Sequence, residues 1–446
     1  MEPNLIVGLA VAILIILLLI EVPVAFSLAA SGTIGIVLLR GLSVAGATLE
    51  SLPFQAISGF TLIVVPMFIL MGTLLLHGNI AEDLFRITNR LVRRLEGGVA
   101  IATVITCAGF SAVCGSSVAT AATVGRLTIS EMERYGFSQG FAAAVVACAG
   151  TLGVLIPPSI VLVLFGIITD ESIVELLVAG IVPGLLSVLI LVLGILVCAR
   201  LGIGFTRGLE QANVSEVSEA DHSTEPSKIG GVVKLLIIFL IVIGGIYSGV
   251  FTATEAAAVG ALAALVIMIL SSLANGGNLL PKLASALRDS ASITSMVFAI
   301  IVGASIFSFF IVSAGVPDKL AMWMLSFDLS PRLLVMLLLL SLIPLGMVLD
   351  GISILLITVP LFYPVVVTEL GFSGIWYAVL TVKMIELGLI TPPIGINVFI
   401  VAGLVDGPPV ERVFANITIF IVLDLIIFFI LFSFPDIVTW LPARIK

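Results

Sequence analysis

The sequence predicts an all-α polytopic membrane protein, and three observations support this fold class. Hydrophobic residues make up 60% of the 446 positions and charged residues only 10%, whereas a soluble domain is about 45–50% apolar and about 25% charged. About ten stretches approach the roughly 20 apolar residues that a spanning helix needs. Two halves of similar size flank one polar segment and share sequence motifs. With so few charges available, a soluble surface could not be covered.

Composition also excludes several function classes. The net charge of −8 argues against a nucleic-acid partner. No activated serine nucleophile, metalloprotease cluster or P-loop pattern occurs, so we expect neither an enzyme nor a cofactor nor direct use of ATP. The cysteines lie in apolar runs and are expected to be buried thiols rather than metal ligands: Cys107, Cys114, Cys148 and Cys198.

Several elements lie outside the repeated motifs. Leu5–Ile20 is predicted to be a retained helix, because Glu2 and the absence of Lys or Arg before it do not fit a cleaved signal. Short charged segments at 79–96 and 317–329 are predicted to lie along the membrane surface as arms. The acidic stretch Leu201–Lys228 is predicted to be a disordered cytoplasmic linker. This stretch divides the chain into three regions: a first repeat with its scaffold helices at 1–200, the linker at 201–230, and a second repeat with its scaffold helices at 231–446.

The two halves share motifs at a nearly constant offset. Leu152–Pro158 (LGVLIPP) is matched 235 positions later by Leu387–Pro393 (LGLITPP). Further matches have offsets of 235 or 236: Gly136–Ser138 with Gly371–Ser373, Val174-Glu175 with Val410-Glu411, and Gly115 with Gly351. Because these matches keep the same order along the chain, we infer an internal duplication.

The positions of Lys and Arg predict that the repeats are inverted. If the basic cluster at Arg86–Arg94 is cytoplasmic, 13 of the 19 basic residues fall inside, five fall outside, and Lys383 lies within a span. Both termini are then external. The Pro-Pro helix at 141–168 runs outward, whereas its counterpart at 374–404 runs inward.

The same trace requires two segments that enter and leave the membrane on one side, Gly97–Ser130 and Pro331–Thr368. Each has a polar, Gly-containing interruption halfway, at Gly109–Ser117 and Gly346–Ser353. Backbone in hydrocarbon must satisfy its own hydrogen bonds, so such turns are tolerated only where protein buries them or water reaches them. We predict two re-entrant helical hairpins.

Each half also carries a Pro-Pro pair inside an apolar helix, at Pro157-Pro158 and at Pro392-Pro393. Two prolines in a row should unwind the helix, because proline lacks an N–H and clashes with an earlier carbonyl. The freed carbonyl oxygens suit a hard cation such as Na⁺, and the half-helix ends suit a carboxylate. A purely structural kink is the alternative.

The hairpin tips carry polar groups in both halves. Ser116 and Ser117 offer hydroxyls in the first tip, and Asp350 offers a carboxylate in the second. An ionisable residue within a membrane is costly and should face protein or water. Asp350 therefore has three readings: a direct cation ligand, a cap that stabilises the tip, or an interfacial residue.

Other polar residues near the breaks have two readings each. Arg126 either donates two hydrogen bonds to a substrate carboxylate or serves as a cytoplasmic anchor. We favour the anchor. Lys383 and Glu386, one helical turn apart, form an ion pair or, as the weaker alternative, a proton relay. Three residues flank the breaks and either bind substrate or pack helices together: Ser159, Thr391 and Asn397.

At these motifs the chain resembles the large membrane subunit of tripartite ATP-independent periplasmic (TRAP) transporters, over essentially its whole length. Cys114 and Phe165 stand where Ser and Tyr are commoner in such proteins, and a serine cation ligand at the first position would thereby be lost. The resemblance lies in six stretches: VPMFILMG at Val65–Gly72, CGSSVATAATVG at Cys114–Gly125, GTLGVLIPPSIVLVLFGIITDESI at Gly150–Ile173, AGIVPG at Ala179–Gly184, FTATEAAAVGA at Phe251–Ala261 and IELGLITPPIGINVFI at Ile385–Ile400.

The resemblance implies an elevator-type transporter that imports an organic acid with Na⁺. It implies a small four-helix membrane subunit, not fused to this chain, and a periplasmic substrate-binding protein. It further implies two cation sites and a substrate site. The first cation site would use Ser111, Ser116 or Ser117 with the carbonyls of Gly153 and Pro157. The second would use Gly346 or Asp350-Gly351 with Gly388, Thr391 and Ile394. Substrate contacts would come from Arg126, Ser159 and Asn397.

We therefore expect a Na⁺-coupled importer of a small carboxylate, such as a C4-dicarboxylate or a sugar acid, in a bacterial or archaeal cytoplasmic membrane. A bundle with both hairpins would slide against scaffold spans, for which the candidates are 5–40, 175–200, 231–273 and 411–433. The alternatives are a stand-alone cation-coupled anion transporter or exchanger without a binding protein, and a non-transporting structural subunit. No residue separates one organic acid from another or sets the number of Na⁺ ions or subunits.

Overall fold

The computed structural model describes residues 2–78, 80–205, 230–274, 278–327, 329–404 and 407–444. All regular secondary structure within these ranges is helical, as the sequence predicts. Apart from its two ends, the predicted linker at 201–230 lies outside the described residues.

The first half contains eleven helices among its described residues. Their bounds are α1 Pro3–Leu19, α2 Val24–Arg40, α3 Leu42–Ile57, α4 Val64–Leu76, α5 Ile80–Val92, α6 Gly98–Cys114, α7 Ser117–Arg134, α8 Gln139–Leu155, α9 Ile160–Thr169, α10 Ile173–Ala179 and α11 Ile181–Arg200. A 3₁₀ turn at Phe60–Ile63 joins α3 to α4.

The described part of the second half contains a further series of helices. Their bounds are α12 Gly230–Phe239, α13 Ala253–Ala274, α14 Leu279–Ser313, α15 Val316–Leu325, α16 Pro331–Leu340, α17 Leu342–Gly346, α18 Gly351–Tyr363, α19 Gly374–Ile390, α20 Ile396–Ala402, α21 Val410–Ser433 and α22 Asp436–Thr439. Helix α12 continues through a π turn at Leu240–Gly244 to Tyr247, and α18 continues through a π turn at Pro364–Glu369.

Helices α5 and α15 occupy the two segments predicted to be surface arms. Helix α5 is amphipathic, because Ile80, Leu84 and Thr88 recur every four residues and are buried. On its exposed side the Arg86 guanidinium lies 2.6 Å from the Glu82 carboxylate. Both segments form short helices, and α5 packs along α6. Their position along the membrane surface stays a prediction.

Among the described residues, six helical segments are long and apolar enough to cross a membrane, counting α8 with α9 and α10 with α11 as single segments. A seventh forms if α3 and the helix at Phe60–Leu76 count as one span, although these two pieces meet at a bend of 56°. The sequence led us to expect about ten. The difference arises because turns and bends interrupt other apolar stretches and leave helices of 10–17 residues, such as α1, α2 and α6.

The described helices pack in two groups, which we call the outer group and the break group. In the outer group, α14 lies against α2, α3 and α4, α1 lies against α2, and α13 lies against α4. In the break group, α8 contacts α6, α7, α11, α19, α20 and α21, and α9, α10 and α18 also pack on α19. The two groups meet where α4 contacts α6 and α9 and where α14 contacts α18.

This packing corrects the predicted scaffold. The candidate spans at 175–200 and 411–433 correspond to α10, α11 and α21, which pack on α6, α8, α9 and α19 in the break group. The contact is close, since a Cβ on Gly140 of α8 would lie 2.8 Å from the carbonyl oxygen of Arg412 on α21. Of the other candidates, 5–40 contains α1 and α2 and 231–273 contains α13, which do belong to the outer group. The span 231–273 also contains α12, which packs mainly on α5 and α6.

The duplicated segments fold alike. Helices α8 and α19 each have 17 residues and start 235 positions apart. Each begins with a serine cap, because the hydroxyl oxygens of Ser138 and Ser373 accept hydrogen bonds from the N–H groups of Phe141 and Trp376, both at 3.4 Å. The motif matches in the sequence therefore reflect matching local structure.

Candidate functional site

The first Pro-Pro pair interrupts its helix as predicted. Helix α8 ends at Leu155, α9 begins at Ile160, and the Pro157-Pro158 peptide bond is cis. Neither proline can donate to the carbonyl oxygens of Gly153 and Val154 one turn earlier. The Ser159 hydroxyl donates to the Val154 carbonyl instead. The Gly153 carbonyl thus lacks its normal helical donor.

The second Pro-Pro pair makes the equivalent break between α19 and α20, and its peptide bond is also cis. The Thr391 N–H donates to the Gly388 carbonyl oxygen at 3.1 Å, and the Thr391 hydroxyl donates to the Leu387 carbonyl oxygen at 2.6 Å. Pro392 and Pro393 are exposed, whereas both prolines of the first break are buried. The two breaks therefore share a backbone form but differ in how the rest of the chain covers them.

Helices α6 and α7 form the first predicted hairpin, and its tip contacts the first break. Gly115 joins the two arms in the left-handed region at φ 62°, which glycine tolerates without steric cost. A Cβ on Gly115 would lie 2.8 Å from the carbonyl oxygen of Pro158. A Cβ on Gly153 would lie 2.8 Å from the carbonyl oxygen of Ser116 and 3.1 Å from the Ser117 nitrogen. The main chain of the hairpin tip therefore contacts the main chain of the broken helix. We call such a contact between a tip and a break a joint.

Ser111 lies one turn before this tip, on α6. Its carbonyl oxygen accepts a hydrogen bond from the Gly115 N–H at 3.1 Å. Its hydroxyl is buried and has no hydrogen-bond partner within the part of the chain that the structure describes. Such a group is costly in a protein interior unless a ligand or water satisfies it. A buried hydroxyl oxygen one turn before the tip is a group that a hard cation could satisfy.

The second hairpin, made of α16, α17 and α18, contacts the second break in a similar way. A Cβ on Gly346 would lie 2.7 Å from the Cα of Gly388, so the end of α17 touches α19 through main chain. The Asp350 carboxylate accepts from the N–H groups of Ile352 at 3.1 Å and Ser353 at 3.3 Å, and also from the Ser353 hydroxyl. This geometry fits the reading of Asp350 as a helix cap.

The structure corrects one pairing between the repeats. The sequence match aligned Gly115 with Gly351, but Gly115 is the turn between two arms whereas Gly351 is the first residue of α18. The equivalent residues by structure are the N-caps Ser116 and Asp350, because each side chain accepts a hydrogen bond from the first turn of the second arm. More residues separate the two arms in the second hairpin than in the first, so a constant sequence offset does not pair equivalent residues at the tips.

The two breaks belong to one packed unit. Helix α20, which follows the second break, packs on α7 and α8 of the first half. The Asn397 amide donates to the carbonyl oxygen of Ala147 on α8 at 3.4 Å, and its own carbonyl oxygen has no partner among the described residues. Asn397 thus links the second break to the first broken helix and keeps one acceptor free.

The other predicted site residues differ in their exposure to solvent. Ser159 is fully buried and caps α9, since its oxygen accepts from the Leu162 N–H at 3.2 Å. Arg126 is exposed on α7, and Ile394 is 39% exposed at the second break. Gly351 lies against the Ile385 side chain. Direct contact of these residues with a cation or a substrate stays a prediction.

A comparison of sequences identifies the family. The family model described as "Tripartite ATP-independent periplasmic transporter, DctM component" matches residues 11–437. The chain belongs to this DctM family. The C4-dicarboxylate TRAP transporter large permease protein DctM of Pseudomonas aeruginosa is 36% identical over 417 residues, which cover 94% of this chain and 92% of that protein. The sialic acid TRAP transporter large permease protein SiaM of Vibrio cholerae is 29% identical, over 88% of each chain.

A solved structure has a similar fold. The Alcanivorax borkumensis YdaH transporter, whose topology is described as unusual, aligns with a TM-score of 0.60 over 99% of this chain and 100% of its own, at 14% identity. Membership of the DctM family confirms the predicted multi-pass membrane transporter and agrees with the expectation that the chain is not an enzyme.

In this DctM-family chain, sequence reasoning missed one buried polar residue beside the broken helices. The predicted ion pair is confirmed, since Lys383 Nζ lies 3.0 Å from Glu386 Oε2. Lys383 Nζ also lies 2.8 Å from Oδ1 of Asp424, which is on α21. The available signal was the carboxylate of Asp424 in the apolar middle of a 24-residue helix, because such a residue requires a partner within a membrane protein.

Proposed function

We propose that this DctM-family chain is the translocating subunit of a Na⁺-coupled importer for a small organic acid. The observation that carries the proposal is the pair of joints at which main chain of a hairpin tip touches main chain of a broken helix, at Gly153 with Ser116 and at Gly388 with Gly346. Transporters with broken helices coordinate coupling ions through unwound carbonyls and helix ends. Two such joints suit two cations.

The donor chemistry supports cations at these joints. The Gly153 carbonyl has lost its helical donor, and the Ser111 hydroxyl is buried without a partner among the described residues. In the second half, the Gly388 and Thr391 carbonyls supply oxygen atoms at the second break, where Gly388 contacts Gly346 of the hairpin. A cation held between a tip and a break would tie them together, so movement without ions would be disfavoured.

The substrate proposal rests on chemistry shared by the relatives. C4-dicarboxylates and sialic acid, named for two of them, are both carboxylates. Arg126 is an exposed cation with no polar partner in the described chain, and the Asn397 amide oxygen is free. We propose that Arg126 and Asn397 contact the substrate carboxylate and that Ser159, which bonds to the Val154 carbonyl, maintains the shape of the first break.

The proposed transport cycle is an elevator in which the break group slides against the outer group. The inverted arrangement of the repeats, inferred from the Lys and Arg positions, would then let one site face each side in turn. The names of the relatives, with their term "large permease", support a small membrane subunit and a periplasmic binding protein as partners. The proposed location is the cytoplasmic membrane of a bacterium or archaeon.

Reconstitution tests this function. The chain is placed in proteoliposomes with its small membrane subunit, and uptake of labelled succinate or sialic acid is measured with an inward Na⁺ or choline gradient, with and without the binding protein. Uptake that requires both Na⁺ and the binding protein supports the proposal. Uptake without the binding protein would identify a stand-alone transporter. Equal uptake in Na⁺ and choline would remove Na⁺ as the coupling ion.

A further inference from the structure

Four buried side chains from three helices meet in the break group: Cys148 of α8, Lys383 and Glu386 of α19, and Asp424 of α21. Lys383 Nζ lies 2.8 Å from Asp424 Oδ1 and 3.0 Å from Glu386 Oε2. The side chains of this ion cluster are at most 1% exposed. None of them belongs to the proposed cation or substrate sites.

The ion cluster contains residues from matching positions of the two repeats. Cys148 and Lys383 are each the tenth residue of a 17-residue helix, 235 positions apart, and are therefore equivalent. Both approach the same carboxylate, since Cys148 Sγ lies 3.9 Å from Asp424 Oδ2 on the side opposite the Lys383 contact. Asp424 therefore contacts one side chain on each broken helix, and these two side chains stand at matching positions of the two repeats.

The cluster lies at a fixed distance from each break. Gly153 and Gly388 both follow the cluster residue of their own helix by five positions, which is about 7.5 Å along an α-helix. If α19 slid or rotated relative to α8, the two joints would shift out of register by the same amount. Asp424, which contacts both helices, thus connects them at one point that is equally far along the chain from each break.

The energetics make this connection stiff. Removing one partner of a buried ion pair leaves a charge unpaired in a low-dielectric interior, which is strongly unfavourable. Sliding of α19 against α21 would separate Lys383 from Asp424 and have the same effect. The Cys148 side offers no charged partner, so the ionic connection comes from the second repeat alone.

We propose that Lys383, through Asp424, is a positioning residue that holds the two breaks in register, so that both tips meet their broken helices at once. The proposal rests on the function proposed above, because the register matters only if both joints bind ions. Lys383 touches neither the ions nor the substrate. Its loss is expected to weaken Na⁺ binding at both joints together.

The main test removes the charges as a set, so that no unpaired charge remains: Lys383→Met/Glu386→Gln/Asp424→Asn. In the reconstituted transporter, the Na⁺ concentration for half-maximal uptake is expected to rise about tenfold, a typical size for coupling between sites. Thr381→Val, a buried change on the same helix, is the matched control and should leave this concentration unchanged. A folded triple variant with the wild-type Na⁺ dependence would show that the cluster only balances charge, and it would overturn the proposal.

Lys383→Arg provides a second variant if the triple variant fails to fold. It keeps the charge but replaces a compact ammonium by a larger planar group, so the register should shift. We expect at least a threefold rise in the same Na⁺ concentration, of the order of weak site coupling. An unchanged value in a stable Lys383→Arg protein would also contradict the proposal.

A measurement without ions separates this inference from the proposed function. Spin labels on Val118→Cys in α7 and Phe399→Cys in α20, both exposed positions, report the distance between the first tip and the helix after the second break. The distance distribution is expected to broaden in the charge-free and Lys383→Arg backgrounds. If wild-type uptake proves independent of Na⁺ while the distribution still broadens, the coupling ion is wrong but the positioning role stands. An unchanged distribution overturns the positioning role.

Discussion

At the scale of single residues, the candidate site depends on glycines that allow main chains to touch. Gly153 faces Ser116 of the first tip, and Gly388 faces Gly346 of the second. A side chain at any of the three glycines would separate a tip from its break. The polar side chains nearby, Ser159 and Thr391, are bonded to backbone carbonyls and shape the breaks.

Gly153→Ala is expected to impair transport without preventing membrane insertion. The added Cβ would lie 2.8 Å from the Ser116 carbonyl oxygen, so the tip must move away. Overpacking of this kind costs about 1–3 kcal/mol, and we expect Na⁺-dependent uptake to fall by about 5- to 140-fold, because about 1.4 kcal/mol corresponds to a factor of ten. Gly46→Ala in α3 is the matched control, because a Cβ there meets no atom within 4 Å. Similar uptake by both variants would exclude a functional joint at Gly153.

Substitutions of Asp350 distinguish two interpretations that the sequence left open, a helix cap and a direct cation ligand. As a cap, its oxygens accept from two backbone N–H groups, a role that Asn fills nearly as well. We expect Asp350→Asn to keep Na⁺-dependent uptake within about twofold of wild type, and Asp350→Ala to lose about 1 kcal/mol of stability and most of the uptake. Loss of uptake in Asp350→Asn with an unchanged melting temperature would instead establish the charged carboxylate as a cation ligand.

At the scale of elements, the broken helices were predictable and their environment was not. Proline has no N–H in any context, so Pro157-Pro158 and Pro392-Pro393 predict breaks from local chemistry alone. The Lys383–Glu386 pair follows likewise from helical spacing. Asp424 joins this pair through a contact between residues 41 positions apart, which no local pattern encodes. The pairing of Gly115 with Gly351 was wrong for a similar reason. The two tips differ in length, and the local sequence does not show this difference.

Restoring the helical donors at a break tests the role of the freed carbonyls. Pro157→Ala/Pro158→Ala supplies N–H groups that can bond to the carbonyls of Gly153 and Val154 one turn earlier. We expect the protein to insert normally but the Na⁺ dependence of uptake to be lost, since an oxygen that accepts a helical hydrogen bond is a poorer ion ligand. Sodium-dependent stabilisation in a thermal unfolding assay is the measurement. Wild-type stabilisation by Na⁺ would assign these prolines a purely structural role.

At the scale of the whole molecule, the described helices divide into two packed groups. The sequence could not assign α10, α11 and α21 correctly, because apolar helices look alike whether they face lipid or other helices. A groove of about 300 Å³ lies between the groups. It is lined mainly by apolar side chains of α3, α9, α14 and α18, including Leu164, Ala304 and Leu356. Such a groove leaves room for the groups to shift against each other.

Filling this groove is expected to slow transport. Ala304→Phe on α14 would extend toward α9 and α18, and thus block sliding of the break group. The maximal uptake rate should fall several-fold, of the order expected for one overpacked core position, while the Na⁺ concentration for half-maximal uptake stays the same because both joints are intact. Val312→Phe on the exposed side of the same helix is the control. A wild-type maximal rate in Ala304→Phe would count against relative movement of the two groups.

The contact between Gly346 and Gly388 has a consequence for repeated motion. Two residues without side chains meet there, so no rotamers are ordered when the surfaces join and none are released when they part. The joint can therefore open and close many times at nearly constant conformational entropy, and the energy that decides its state must come from whatever is held between the two backbones.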